Sequence, residues 1–175
     1  MRIRTTILSL ALAATLFVTI LSGCSTQGKP KNNENIDVVT TASLVNDEAS
    51  FLKAVSKEGT WIIAILKDMT IDKDVVIEGE FTKDNAPARK LALYAQDENR
   101  KKTASYTLKA PKLIVKSEST KIQGGTFVGD VYVEVNNFLV ADAKVEGNVY
   151  FSKEEFKKTF KLEDGGSVTG VTEVK

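Results

Sequence analysis

From Thr60 onward the apolar residues come in short runs separated by polar corners. The runs cover residues 61–66, 75–77, 91–94, 113–115, 131–135, 138–140 and 145–150. Runs this short, rich in Val and Ile and bounded by Gly, Asn and Asp, predict strands. Upstream the period changes. Phe51, Leu52 and Val55 fall on one face of a helix with Ala54, against polar Lys53, Ser56 and Lys57. Asn46 or Asp47 can cap that helix, Glu48 suits the positive end of its dipole and Gly59 supplies a stop. The pattern therefore predicts one helix over residues 49–57. A weaker helical signal covers residues 153–158.

A short motif punctuates the strands: a β-branched residue, any residue, then glycine. It occurs as Ile77-Glu78-Gly79, Ile122-Gln123-Gly124, Val145-Glu146-Gly147 and Val168-Thr169-Gly170. The last three glycines are 23 residues apart, and the first gap is nearly twice that. The polar stretch 96–103 falls in the wide gap and reads as a loop that erases one copy. A unit of about 23 residues with two or three strands cannot bury its inward side chains alone, so it stacks on its neighbours. The expected fold is mainly β, a small parallel β-solenoid with one N-terminal capping helix. Phe51, Leu52 and Val55 would lie over the first coil, which otherwise exposes a core and an unpaired edge. The same strand spacing also fits an antiparallel β-sandwich or barrel.

Over residues 45–175 the chain resembles right-handed parallel β-helix proteins of the pectin-lyase-like kind. More loosely, it resembles bactofilin-like polymer-forming domains. The residues carrying the likeness are Asp47-Glu48-Ala49-Ser50-Phe51-Leu52-Lys53-Ala54, leading through Gly59-Thr60-Trp61-Ile62 into the glycine-punctuated segments. The resemblance implies an architecture, and these superfamilies include enzymes, adhesins and structural polymers. Function has to be argued from sites.

The first residues follow another logic. Arg2 and Arg4 precede the apolar run ILSLALAATLFVTI at 7–20, which is the length of a signal-peptide core and short for a membrane span. The run ends in Leu21-Ser22-Gly23-Cys24. This tetrapeptide resembles the lipobox of bacterial lipoproteins, which implies cleavage between Gly23 and Cys24 and a diacylglycerol on the Cys24 thiol. Residues 1–23 would be the signal peptide, and 24–44 the lipidated cysteine with a polar tether containing Gly28 and Pro30. Residues 45–175 would form the domain. The localisation implied is the extracytoplasmic face of the cell membrane. Two or three acyl chains hold far better than one, at roughly 0.8 kcal/mol per buried CH₂.

Composition narrows the chemistry. The chain has 175 residues, 24 Lys+Arg against 23 Asp+Glu, no histidine and one cysteine. Without the leader's two arginines the count becomes 22 against 23. A neutral chain lacks the basic surplus that nucleic-acid binding requires. The missing histidines exclude Ser-His-Asp and Cys-His catalysis, and the single cysteine excludes an internal disulfide. No cofactor or metal is expected. Asp68, Asp72 and Asp74 crowd one corner, but Lys73 interrupts them, and calcium requires six to eight converging oxygens. Their more ordinary role is a solvated corner. Asp130, Glu134, Asp142 and Glu146 could line up on one outer face. Tyr132 and Tyr150 are eighteen residues apart, not quite one repeat, and could offer a stacking platform or join a buried ladder.

These features predict a lipid-anchored cell-envelope protein that is a non-catalytic binding or scaffold module. Asp68, Asp72, Asp74, Tyr132 and Tyr150 are the candidate ligand-binding residues. The expected partners are the membrane, through Cys24, and a cell-wall polysaccharide or an envelope protein. The alternatives are a relative of polysaccharide lyases or hydrolases and a self-stacking polymer former.

Overall fold

The computed structural model describes residues 42–175. The leader, Gly23, Cys24 and the tether up to residue 41 lie outside them. The described chain opens with β1 (Ala42–Val45) and α1 (Glu48–Val55), followed by β2 (Ile62–Ile65), β3 (Met69–Thr70) and β4 (Val75–Ile77). Next come β5 (Thr82–Lys83), β6 (Ala86–Pro87), β7 (Arg89–Ala92), β8 (Tyr94–Gln96) and β9 (Lys102–Ser105). The long strands β10 (Thr107–Val115) and β12 (Thr126–Val133) flank β11 (Thr120–Gln123). After them lie β13 (Leu139–Ala141), β14 (Lys144–Glu146), β15 (Val149–Phe151) and α2 (Glu154–Thr159). The last strands are β16 (Lys161–Glu163), β17 (Ser167–Val168) and β18 (Thr172–Val174).

The fold is mainly β and its large sheets are parallel. One sheet has the order β1-β2-β7-β11-β13-β16, which is sequence order. The other is built on β10 and β12, each long enough to take two short partners. β3 and β4 pair with the two halves of β10, while β14 and β15 pair with the two halves of β12. β17 and β18 then add to β14 and β15. Antiparallel pairing is confined to two hairpins, β5–β6 and β8–β9. From β2 onward the chain alternates between the sheets and completes one circuit per pair of visits.

Register turns this alternation into columns of side chains. Ile63, Leu91, Ile122 and Val140 lie in line across the first sheet and are fully buried. In the second sheet Met69, Leu108, Phe127 and Val145 make one buried column, and Ile77, Val115, Val133 and Phe151 make another. Inward side chains alternate with outward ones, as a parallel strand buried on one face requires. Much of the core is therefore read directly from strand parity.

The spacing differs from the expected 23 residues. Ile122 to Val140 is eighteen residues, and so is Tyr132 to Tyr150, which face each other across β12 and β15. Eighteen is the bare circuit, and the longer ones contain insertions: the β5–β6 hairpin before β7, the β8–β9 hairpin before β10, and α2 before β16. The four glycine motifs accordingly do not mark one corner. Gly79 follows β4, Gly124 follows β11, and only Gly147 and Gly170 stack, with the Gly170 N–H donating to the Gly147 carbonyl at 2.9 Å. Their true predecessor is Gly129, which follows Phe127 and is hidden from a search for β-branched residues. Gly129 has φ of +139°, and a Cβ there would collide with the Ala110 carbonyl.

The ends of the expected elements also shift. The tether was expected to run through residue 44, yet Ala42–Val45 pair with Ile62–Ile65 as β1, and Val45 is buried. Parallel pairing with β2 draws these residues into the sheet. The helix is α1 rather than 49–57, because Asp47 caps it and Ser56 leaves helical geometry. Phe51, Ala54 and Val55 are buried, while Leu52 is half-buried at the margin of the core. Gly59 serves close approach rather than a left-handed turn, since a Cβ would strike the Ala54 carbonyl.

One charged side chain holds α1 to the sheets. Arg89 opens β7 on the same side as Leu91 and is only 1% exposed. Its guanidinium donates to the carbonyls of Ala54 at 2.9 Å and Ser56 at 3.1 Å, and to that of Thr60. It also stacks 3.9 Å from the centroid of the Phe81 ring. The Ala54 carbonyl is one that the last turn of α1 leaves without an intrahelical partner, at the negative end of its dipole. Those of Ser56 and Thr60 belong to the C-cap and the segment after it. Burial pushes the guanidinium down to about 10, so it stays cationic at neutral pH.

Arg89→Met is expected to lower unfolding free energy by roughly 3 kcal/mol or more, because several buried carbonyls lose their donor together. Urea titration reads the loss, and a change under about 1 kcal/mol would show that water replaces the guanidinium. At the other end of α1, the backbone N–H and then the hydroxyl of Ser50 hold the Asp47 carboxyl below its ordinary range. A carboxyl lowered by folding stabilises above its unfolded pKa, and that contribution fades as pH falls through its folded value. Asp47→Asn keeps a capping oxygen without the charge. Its Tm deficit against wild type should shrink between about pH 5 and pH 2, and a constant deficit would contradict this account.

Candidate functional site

The outer face of the second sheet carries the two tyrosines. Val131 and Val133 point into the core, so Tyr132 between them points out, and Tyr150 does so between Val149 and Phe151. Register sets them side by side, with ring centroids 5.1 Å apart and planes tilted by 47°. Tyr132 is half-buried, and Tyr150, packed beneath its neighbours, is 8% exposed. Lys175 lies 3.6 Å from the Tyr150 ring centroid, and Lys112 lies 5.4 Å from that of Tyr132. Contact with the Tyr150 hydroxyl raises the Lys175 ammonium above its ordinary value. The tyrosines, Glu134, Ser152 and Lys175 line a shallow depression of about 100 Å³.

This strip has mixed chemistry: aromatic faces, ammonium groups over them, and carboxylates beside those. Lys112 pairs with Asp74 at 3.6 Å and Lys116 with Glu134 at 3.7 Å. Both pairs are about half exposed, so their attraction is weak and exchangeable. The face holds charge of both signs that an incoming ligand can re-pair.

The structure does not gather the three candidate aspartates. Asp68 accepts the Thr107 backbone N–H at 2.7 Å, a link at the start of β10. Asp74 reaches the strip only through Lys112. Asp72 borders a separate hollow beside Ile71, Lys109 and Pro111. Sequence proximity failed here because β3, the corner and β4 aim successive residues in different directions. The acids expected in rows are also occupied individually. Asp130 accepts from the backbone and side-chain N–H groups of Asn148, each at 2.9 Å. Asp142 pairs with Lys102 and Glu146 with Lys144, both at 2.7 Å. Asn148 continues this corner by accepting from the Val171 N–H at 3.0 Å. Among the described residues, no three carboxylates, cysteines or histidines are placed to hold a metal.

No protein-family model, curated protein or solved structure matches the chain. The site is therefore judged on its own chemistry.

A second depression, of about 370 Å³, was not visible in the sequence. Gly79, Glu80, Phe81 and Pro87 form one wall, and Lys116, Ser117, Glu118 and Val135 form the other. Its residues come from corners of three different circuits, and no motif links them. The Ser117 hydroxyl donates to the Gly79 carbonyl at 2.7 Å across its floor. The hollow combines Glu80 and Glu118 with one lysine, Lys116.

Proposed function

We propose that this is a lipid-anchored protein of the cell envelope, whose domain is a helix-capped parallel β-solenoid serving as a non-catalytic binding module for acidic glycans. Half-buried Tyr132, backed by the buried Tyr150 and with Lys112 and Lys175 against the two rings, carries the binding part. A sugar ring has an apolar face that stacks on tyrosine, and a uronic-acid carboxylate would re-pair the lysines. The parallel sheets, the register columns and the stacked glycine corner at Gly129, Gly147 and Gly170 support the solenoid. The anchor rests on Leu21-Ser22-Gly23-Cys24 and the charged and apolar segments before it.

The dispersed carboxylates work against the lyase or hydrolase alternative, since paired catalytic acids have to converge within about 5–10 Å of each other across a substrate. α1 works against a head-to-tail polymer, because Phe51 and Val55 bury the end that a following copy would need.

Purified full-length protein incubated with uronic-acid and cell-wall polysaccharides, with and without Ca²⁺, tests the module. Retention on acidic polymers without new reducing or unsaturated ends is expected, and Tyr132→Ala should weaken it about tenfold, the worth of one aromatic contact. Product formation would make the protein an enzyme, and absence of retention would leave a scaffold. Separately, Cys24→Ala should leave unprocessed precursor or release soluble protein. A correctly processed chain that stays in the membrane fraction would remove the lipid anchor.

A further inference from the structure

The buried columns do not end in the same way on the two sides. At the β1 side α1 covers them. At the other side β16, β17 and β18 are the outermost strands among the described residues, each with a hydrogen-bonded neighbour on one side only. Leu162 continues the column of Ile63, Leu91, Ile122 and Val140, all fully buried, yet it is 49% exposed. α2 packs against β18 and β15, and Phe160 stacks on Phe138, so part of this end is covered. β16 is left open, with all three of its residues exposed.

We propose that β16 is a self-association edge, at which two copies of this chain pair antiparallel about a two-fold axis through Leu162. Three observations favour a second copy as the occupant. An open strand with an apolar inward side chain is a template for another strand. Lys161 and Glu163 flank Leu162 on the outer side. In a two-fold antiparallel pairing centred on Leu162, Lys161 meets the partner's Glu163, and Glu163 meets the partner's Lys161. Opposite charges directly across a strand pair attract, and the same strand paired with itself provides both contacts at once. Finally, α1 closes the other end of the stack, so association stops at two. The first sheet would then run unbroken from one copy into the next, with Leu162 covered by its own counterpart.

Differently tagged copies of the full-length chain, co-expressed and solubilised in mild detergent, test this by co-purification. Wild-type copies are expected to recover one another as a pair. Lys161→Glu alone and Glu163→Lys alone, each setting like charges across the axis, should reduce recovery about tenfold with unchanged Tm. Mixing the two single variants should restore recovery, and so should the double variant carrying both exchanges, because each arrangement again opposes unlike charges. Monomeric wild type, or recovery that neither charge reversal affects, would overturn the proposal. Assemblies whose mass grows with concentration would overturn it too.

Discussion

A helix laid over the end of a stack of strands has to be fastened there, and its last carbonyls are the hardest part to satisfy. In this protein they point toward the sheets rather than toward water. Arg89 meets the carbonyls of Ala54, Ser56 and Thr60 from the opening residue of β7, with its plane against Phe81. A lysine would bring one point charge, whereas the guanidinium reaches several oxygens with a fixed fork. No described ion pair involves it, so carbonyl dipoles rather than a carboxylate compensate its charge. Removing it would leave α1 held by the packing of Phe51, Leu52, Ala54 and Val55 and by the Glu78 N–H on the Val55 carbonyl. The columns that begin beneath α1 would then open to solvent at their first layer.

Beyond that fastening, the fold needs few special devices. Each circuit but the last buries a residue in each column, and the neighbouring circuits supply the rest of its surroundings. Corners carry the exceptions: glycine where a carbonyl from the adjacent circuit comes too close for a Cβ, and asparagine or aspartate where a backbone N–H needs an acceptor. Asp130, Asn148 and the Val171 N–H form one such chain across three circuits.

Much of this was legible before any coordinates. Apolar runs located most strands, Asp47 was one of two possible caps for α1, and Phe51 and Val55 were recognised as its buried face. The circuit length was not. Gly147 and Gly170 stack, but α2 between them adds residues to the bare eighteen, and the resulting 23 also separates Gly124 from Gly147, which occupy different corners. The run at 145–150 concealed the corner at Gly147 and Asn148, because Val145, Val149 and Tyr150 all suit strands. Arg89 was invisible to charge counting, although its parity with Leu91 placed it inward. The tyrosine pair was nearly in view. Eighteen residues looked like a near miss only while the period was taken as 23. The aspartate corner misled in the opposite way, since closeness along the chain says nothing about direction around a turn.

The unequal circuits have a consequence for how such a surface changes over evolutionary time. Leu91 and Ile122 are adjacent in their column although 31 residues separate them, and the β8–β9 hairpin accounts for most of the excess over eighteen. Doubling a loop's length adds only about 0.6 kcal/mol of closure entropy. A hairpin or a short helix inserted at a corner therefore leaves neighbouring strands in register and touches few core residues. The tight corner at Asn136 and Asn137, where Asn137 already takes a left-handed φ of 59°, joins two circuits with no insertion at all. New segments at such corners could furnish new recognition surfaces while the frame beneath them stays as it is.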